Sequence, residues 1–183
     1  MYVELTMELE GEELNYKQSS NLQGVIMENI DENYAEELHQ SSLNPYSQCL
    51  LKKDKKTIWK ICTVTDKAYE CFIIPMSKLT EFTLKNKKNP IYIVKKSIDI
   101  KEEAILLKEF YEESASKYIE VIFETPTAFK RNGKYVFYPE LHLLYQSLMN
   151  KYSASSQSME MMDEDILNML ADSSEIIKYR LRT

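Results

Sequence analysis

The chain has 183 residues, 44% of them hydrophobic, with only three Gly, five Pro and a net charge of −6 at pH 7. These figures exclude disorder and a loop-rich architecture, and they leave room for one large domain or two small ones. The acidic balance also excludes a uniformly basic surface, so any contact with nucleic acid has to be a local basic groove on an acidic whole.

Residues 2–9 alternate apolar and polar, with Val3, Leu5, Met7 and Leu9 on one face, and predict a half-buried strand. Ser20 and Gln23 have the spacing of a capping box. Leu22, Ile26, Ile30, Tyr34 and Leu38 then recur every four residues, the apolar stripe of one or two helices. Residues 46–51 and 57–65 read as strands joined by a lysine-rich turn. Thr65 or Asp66 caps the next helix, whose stripe is Tyr69, Phe72, Ile73 and Met76; Pro75 should kink or split it. Residues 89–100 alternate again. Strand, helix, strand, strand, helix, strand is the ferredoxin-like order. Residues 101–114 are polar and acidic and predict a short helix or linker.

The second half opens on residues 119–124, rich in β-branched side chains, which predict a strand. Asn132-Gly133, flanked by aromatic and β-branched residues, predicts a hairpin turn that needs positive φ. Pro126 lacks an N–H and suits a bulge or edge; Pro139 ends the second strand and suits a helix start. Leu141, Leu144, Tyr145 and Leu148 form the stripe of a helix, and residues 153–158 a Ser-rich loop. Met159, Met162, Ile166, Met169 and Leu170 predict another amphipathic helix, and residues 176–181 a last strand. A Met stripe at this spacing reads as core packing. The expected fold is α+β, with tandem ferredoxin-like (RRM-like) domains. The first spans 1–100, a linker or short helix 101–116, and a second domain, incomplete at its C-terminus, 117–183.

Cys49, Cys62 and Cys71 are an odd set with no C-x-x-C pair, and with two His in total they assemble no usual zinc site. Free thiols suit a reducing cytoplasm, and no apolar span is long enough for a membrane helix. P-loop, dinucleotide and G-x-S-x-G motifs are absent. No metal or cofactor is expected, and the expected location is the cytoplasm. Charge is segregated: acids crowd residues 4–13, 28–37, 102–113 and 160–165, while lysines crowd 52–56, 85–88, 95–96 and 130–134. Any one of these lysine clusters, alone, reads as solvated surface. A His at a helix end, like His39, ordinarily complements the macrodipole. His142 reads as a surface or core-edge residue.

Two segments carry a resemblance. In the second half, Thr125-Pro126-Thr127-Ala128-Phe129 is followed by the Gly133 turn, by residues 135–139 (Tyr-Val-Phe-Tyr-Pro), and by Leu144 and Ser147-Leu148 on a helix. In the first half, Leu22-Gln23-Gly24-Val25-Ile26 is followed by Leu38-His39 and then by Asn44-Pro45-Tyr46-Ser47. In order and spacing these resemble the CRISPR repeat-processing endoribonucleases, the crRNA-maturation enzymes of the RAMP superfamily. That family has a Leu-x-Gly-x-Ile helix, a Leu-His pair and a loop of a basic residue, Pro and Phe.

The resemblance implies metal-independent cleavage of precursor crRNA. A base takes the ribose 2′-OH proton, the oxygen attacks the adjacent phosphorus, and a 2′,3′-cyclic phosphate remains. It implies His39 as the general base, a residue type whose ordinary pKa lies near neutrality. Two positions depart from the pattern: Met27 stands where the family often has Tyr, and Asn44 where it has Lys. Met cannot transfer protons and Asn carries no charge; Tyr34, Lys52 or Lys53 are candidate substitutes. Lys52, Lys53, Lys130, Arg131 and Lys134 are the expected RNA contacts, the last three beside Tyr135 and Tyr138 for base stacking.

The family pattern continues with further strands and a Gly-rich loop, whereas no Gly follows Gly133 here. The expectation is a truncated member, weak or inactive by itself, whose second domain has an open sheet edge that is either covered by self-association, as in a homodimer, or leaves that domain mobile. The implied partners are CRISPR repeat RNA and subunits of a CRISPR effector complex. The competing readings are a non-catalytic RNA-binding or assembly protein of the same system, and a ferredoxin-like interaction domain with its acidic helices as the partner face.

Overall fold

The computed structural model describes residues 1–41, 43–85, 87–112, 116–125, 127–156 and 160–180. The chain divides into two compact units, Met1–Thr125 and Pro126–Thr183.

The first unit is built on β1 (Tyr2–Glu10), α1 (Ser19–Asn29), α2 (Glu32–Gln40), β2 (Tyr46–Lys53), β3 (Lys56–Thr63), α3 (Asp66–Ala68), α4 (Ile74–Lys78), β4 (Glu81–Phe82), β5 (Ile91–Lys101) and α5 (Glu103–Glu112). Its antiparallel sheet has the order β2-β3-β1-β5-β4. Without the two-residue β4 this is the ferredoxin-like order that the element sequence predicts. Alternation in β1 does what a period of two dictates. Val3, Leu5, Met7 and Leu9 are buried beneath the helices, and Glu4, Thr6 and Glu8 lie on the other face. Opposite them on β3, Trp59 and Ile61 join the core, while Lys60 and Cys62 share the open face.

The helical stripe closes the other side of this core through Leu22, Ile26, Tyr34 and Leu38. It breaks at Ile30, where the chain turns extended, and restarts at Asp31, whose carboxylate accepts the Tyr34 N–H at 3.1 Å. Thr65 caps the next helix by accepting the Ala68 N–H at 3.1 Å. Pro75 has its expected effect, for the helix is interrupted by a π-turn over Tyr69–Ile73 before α4. The β2–β3 turn places Asp54 and Lys55 at φ of 51° and 65°, the mirror-type geometry that matches strand twist.

The capping box is not formed. A short 3-10 turn, Tyr16–Gln18, runs directly into α1, so the helix starts two residues early, and Gln18 occupies the cap position without a side-chain cap bond, its Oε1 accepting the Asn15 N–H at 2.9 Å instead. Gln23 instead donates across to the Tyr46 hydroxyl at 3.2 Å. Residues 118–123 form no strand, and Ile119 and Ile122 are largely exposed. β-branched composition alone does not make a strand; a ladder partner is needed, and none is present for these residues among those described.

The second unit holds a hairpin, β6 (Phe129–Arg131) and β7 (Lys134–Val136), followed by α6 (Leu141–Ser155) and α7 (Glu164–Asp172). Asn132 and Gly133 form the turn with φ of 51° and 76°. The hairpin is shorter than its sequence suggests, and Phe137, just past β7, is fully exposed. α6 runs on through Ser153–Ser155, residues expected in a loop. Ser153 Oγ accepts the Met161 and Met162 N–H groups, each at 2.9 Å, and Asp163 caps α7. Met149 and Leu167 are the buried residues of this unit among those described. The predicted last strand is absent over 176–180. Pro126, Ser158, Met159 and Leu181 lie outside the described residues.

Candidate RNA-processing site

α2 positions His39. Its last turn closes with the Ser41 N–H on the Glu37 and Leu38 carbonyls, at 3.1 and 3.3 Å. This leaves His39 exposed at the helix C-terminus, beside buried Leu38. The loop that follows carries exposed Asn44 and is pinned at Pro45, whose carbonyl accepts the Val64 N–H at 3.0 Å. His39 makes no side-chain hydrogen bond or ion pair among the described residues. His142 lies at the start of α6, half-buried.

Of the candidate substitutes, Tyr34 is a core residue. Its ring meets Phe72 edge-on, with centroids 5.6 Å apart, and Lys67 Nζ lies 5.2 Å from the ring centroid. Burial, then Cys71, Glu37 and Tyr46, push the phenol up to about 12, so it stays protonated near neutrality. Met27 also packs against the core. Lys52 and Lys53 lie at the end of β2, where Lys52 pairs with Glu13.

In the second unit the hairpin tip gathers three cations. Lys130 Nζ lies 4.7 Å from the Tyr135 ring centroid, Arg131 pairs with Glu140 at 2.9 Å, and Lys134 is exposed beside them. Arg131, Asn132, Lys134, Tyr135 and Val136 line a shallow concavity.

Charge that is segregated in sequence is paired in space. Glu4 meets Lys60 at 3.1 Å, Glu8 meets Lys56 at 2.8 Å, Glu12 meets Lys87 at 2.7 Å, and Glu13 meets Lys52. Sequence reading misses these partners because they are far apart along the chain: Glu4 and Glu8 reach lysines of the neighbouring strand β3, and Glu12 and Glu13 reach Lys87 and Lys52 from the segment after β1. Burial pushes the thiols of Cys49, Cys62 and Cys71 up, away from thiolate formation. No group of three or more His, Cys, Asp and Glu among the described residues is placed to hold a metal. No helix among them is long and apolar enough to cross a membrane.

The family model of the CRISPR-associated endoribonuclease Cas6 matches residues 121–175. A CRISPR-associated endoribonuclease Cas6 of Streptococcus thermophilus is 35% identical over 160 residues, covering 87% of this chain and 65% of that protein. By sequence, the chain is similar to the Cas6 endoribonucleases. A second Cas6, from Mycobacterium tuberculosis (strain CDC 1551 / Oshkosh), is 34% identical over 137 residues, 73% of this chain and 44% of its own length. The chain thus spans less than two thirds of either curated relative. Among solved structures, a Cas6 product complex superposes with a TM-score of 0.68 at 16% identity, over 94% of this chain and 70% of that one. A Thermus thermophilus Cas6 superposes with 0.60 at 19% identity, over 98% and 73%. At such identities the structures speak for the Cas6 fold alone.

Proposed function

We propose that the chain binds CRISPR repeat RNA and cleaves precursor crRNA as the Cas6 endoribonucleases are named for doing. The observation that carries this reading is the 35% identity to such an enzyme over 87% of the chain. In this reading residues 1–100 are the first domain, 101–116 the connection and 117–183 the second domain. His39 is the general base. It removes the 2′-OH proton, O2′ bonds to phosphorus, the P–O5′ bond breaks, and the 5′ oxygen leaves with a proton from an acid. The products are a 2′,3′-cyclic phosphate and a 5′-hydroxyl, and no water is consumed. The exposure of His39 at the end of α2, unencumbered by a partner among the described residues, supports the role. Lys52, Lys53, Lys130, Arg131 and Lys134 hold phosphates, with Tyr135 as a stacking surface.

A second reading, RNA binding without cleavage, is favoured by one observation. Met27 packs against the core where the family pattern has a proton-bearing Tyr, and buried Tyr34 does not replace it. Incubating the purified chain with RNA transcribed from the CRISPR array of its source genome tests both. Cleavage once per repeat supports the first, binding without cleavage supports the second, and RNA neither bound nor cut overturns the two together.

A further inference from the structure

The segment that leaves β1 is acidic and its path is fixed. Gly11 turns it at φ of +126°, and a Cβ at this position would lie 3.0 Å from the Pro90 carbonyl oxygen. Three residues on, Leu14 is fully buried in the core. Between these two anchors, Glu12 and Glu13 are held against cations of other strands and loops. Glu12 meets Lys87 Nζ at 2.7 Å and accepts from Asn89 Nδ2 at 3.1 Å, and Glu13 pairs with Lys52. Just upstream on β1, Glu8 takes Lys56 Nζ on both oxygens, at 2.8 and 3.0 Å. Lys53 and Lys55, on the same β2–β3 tip, carry no ion pair among the described residues.

Carboxylate and phosphate oxygens compete for the same ammonium donors. We propose that Glu8 and Glu13 form an intramolecular phosphate mimic, an acidic strap that RNA must displace from Lys56 and Lys52 before the β2–β3 tip can hold its backbone, while Glu12 anchors the segment on Lys87. The inference rests on the proposed RNA-binding role of Lys52. Lys53 and Lys55 remain available for first encounter, and the strapped lysines add their charge only once a strand is already in place. Exposed pairs of this kind are individually weak, so the strap is displaceable. Its effect is to keep stray polyanions from holding the tip.

The test measures the affinity of the full chain for labelled CRISPR repeat RNA over a salt series. Glu13→Gln is compared with Glu28→Gln, an equal change of charge at an exposed position of α1. Glu13→Gln should tighten binding by roughly 2- to 5-fold at low salt and steepen the slope of log K against log salt by about 0.7, because no displaced carboxylate then takes up the cation that one phosphate of a single strand releases. Glu28→Gln should leave both near wild type, and Lys52→Ala added to Glu13→Gln should erase the gain. Equal gains from both glutamate variants, a gain that survives Lys52→Ala, or no change in Glu13→Gln would each overturn the strap while leaving RNA binding intact. A wild-type chain that binds no repeat RNA at all would overturn the RNA-binding reading itself and the strap with it.

Discussion

Lys130 lies over the ring of Tyr135, its ammonium 4.7 Å from the centroid. Such a cation–π pair orders a long side chain at a solvent-exposed tip. Arg131 is tied to Glu140, so the three cations of the hairpin are not equivalent. Lys134 has neither an ion pair nor a ring contact among the described residues.

If the tip holds RNA, replacing Lys130, Arg131 and Lys134 together by Ala should weaken binding at all salt concentrations. The slope of log K against log salt should become shallower by about 0.7 for each phosphate that the variant no longer holds. Unchanged affinity and slope in the triple variant would make the tip a plain solvated turn.

Gln48 joins the sheet to α1. Its Oε1 accepts the indole N–H of Trp59 at 2.9 Å, and its Nε2 donates to the Ser19 carbonyl at 3.1 Å. Trp59 has no exposed surface, so Gln48→Ala leaves a buried donor without its partner, at a cost of about 1–3 kcal/mol. Trp59 is the single Trp of the chain, so its fluorescence in a urea titration reports the first unit alone. The midpoint should fall at unchanged slope; an unshifted midpoint would show that the bridge contributes nothing.

Tyr34 gives the first unit an alkaline limit. Burial, then Cys71, Glu37 and Tyr46, push its phenol up to about 12, against an ordinary value of about 10. The folded state therefore holds the proton more tightly than the unfolded chain. That stability is complete below about pH 10 and is lost as pH rises through about 12. Tyr2 is shifted in the same direction by burial, then by Cys62 and Glu4. Tyr34→Phe keeps the ring against Phe72 and removes one titrating group, so its urea midpoint should fall less steeply above about pH 10 than that of the wild type. Parallel profiles would remove Tyr34 from the alkaline transition.

The first unit was legible because its signals are local and agree with one another. The alternation in β1, the four-residue stripe from Leu22 to Leu38, the Thr65 cap and Pro75 each point to the element that forms. The second half was legible only where a short-range signal exists, as at Asn132-Gly133 or in the α6 stripe. Residues 119–124 and 176–180 have strand-forming side chains, yet a strand is a relationship with a neighbour and composition cannot supply one. For the site, motif order led to His39 and lysine clustering led to Lys52 and Lys130. The acids that occupy Lys52 and Lys87 lie just past the turn at Gly11 and the one that occupies Lys56 lies on β1 before it, and no spacing along the chain announces these pairs.

Cleavage by the proposed route draws its base from His39 and needs no cation other than side chains. RNA cutting should therefore persist in EDTA and leave a 2′,3′-cyclic phosphate on the upstream product, readable by its resistance to ligation until the cyclic end is opened. Activity abolished by EDTA and restored by magnesium would contradict this chemistry.

The most direct test is single-turnover cleavage of CRISPR repeat RNA by the wild-type chain and by His39→Ala, with binding measured alongside. His39 as general base predicts cleavage by the wild type, a rate roughly 10²- to 10⁴-fold lower in the variant, and nearly equal RNA affinity for the two. A variant that cleaves at the wild-type rate would contradict the account and turn attention to His142 or a lysine.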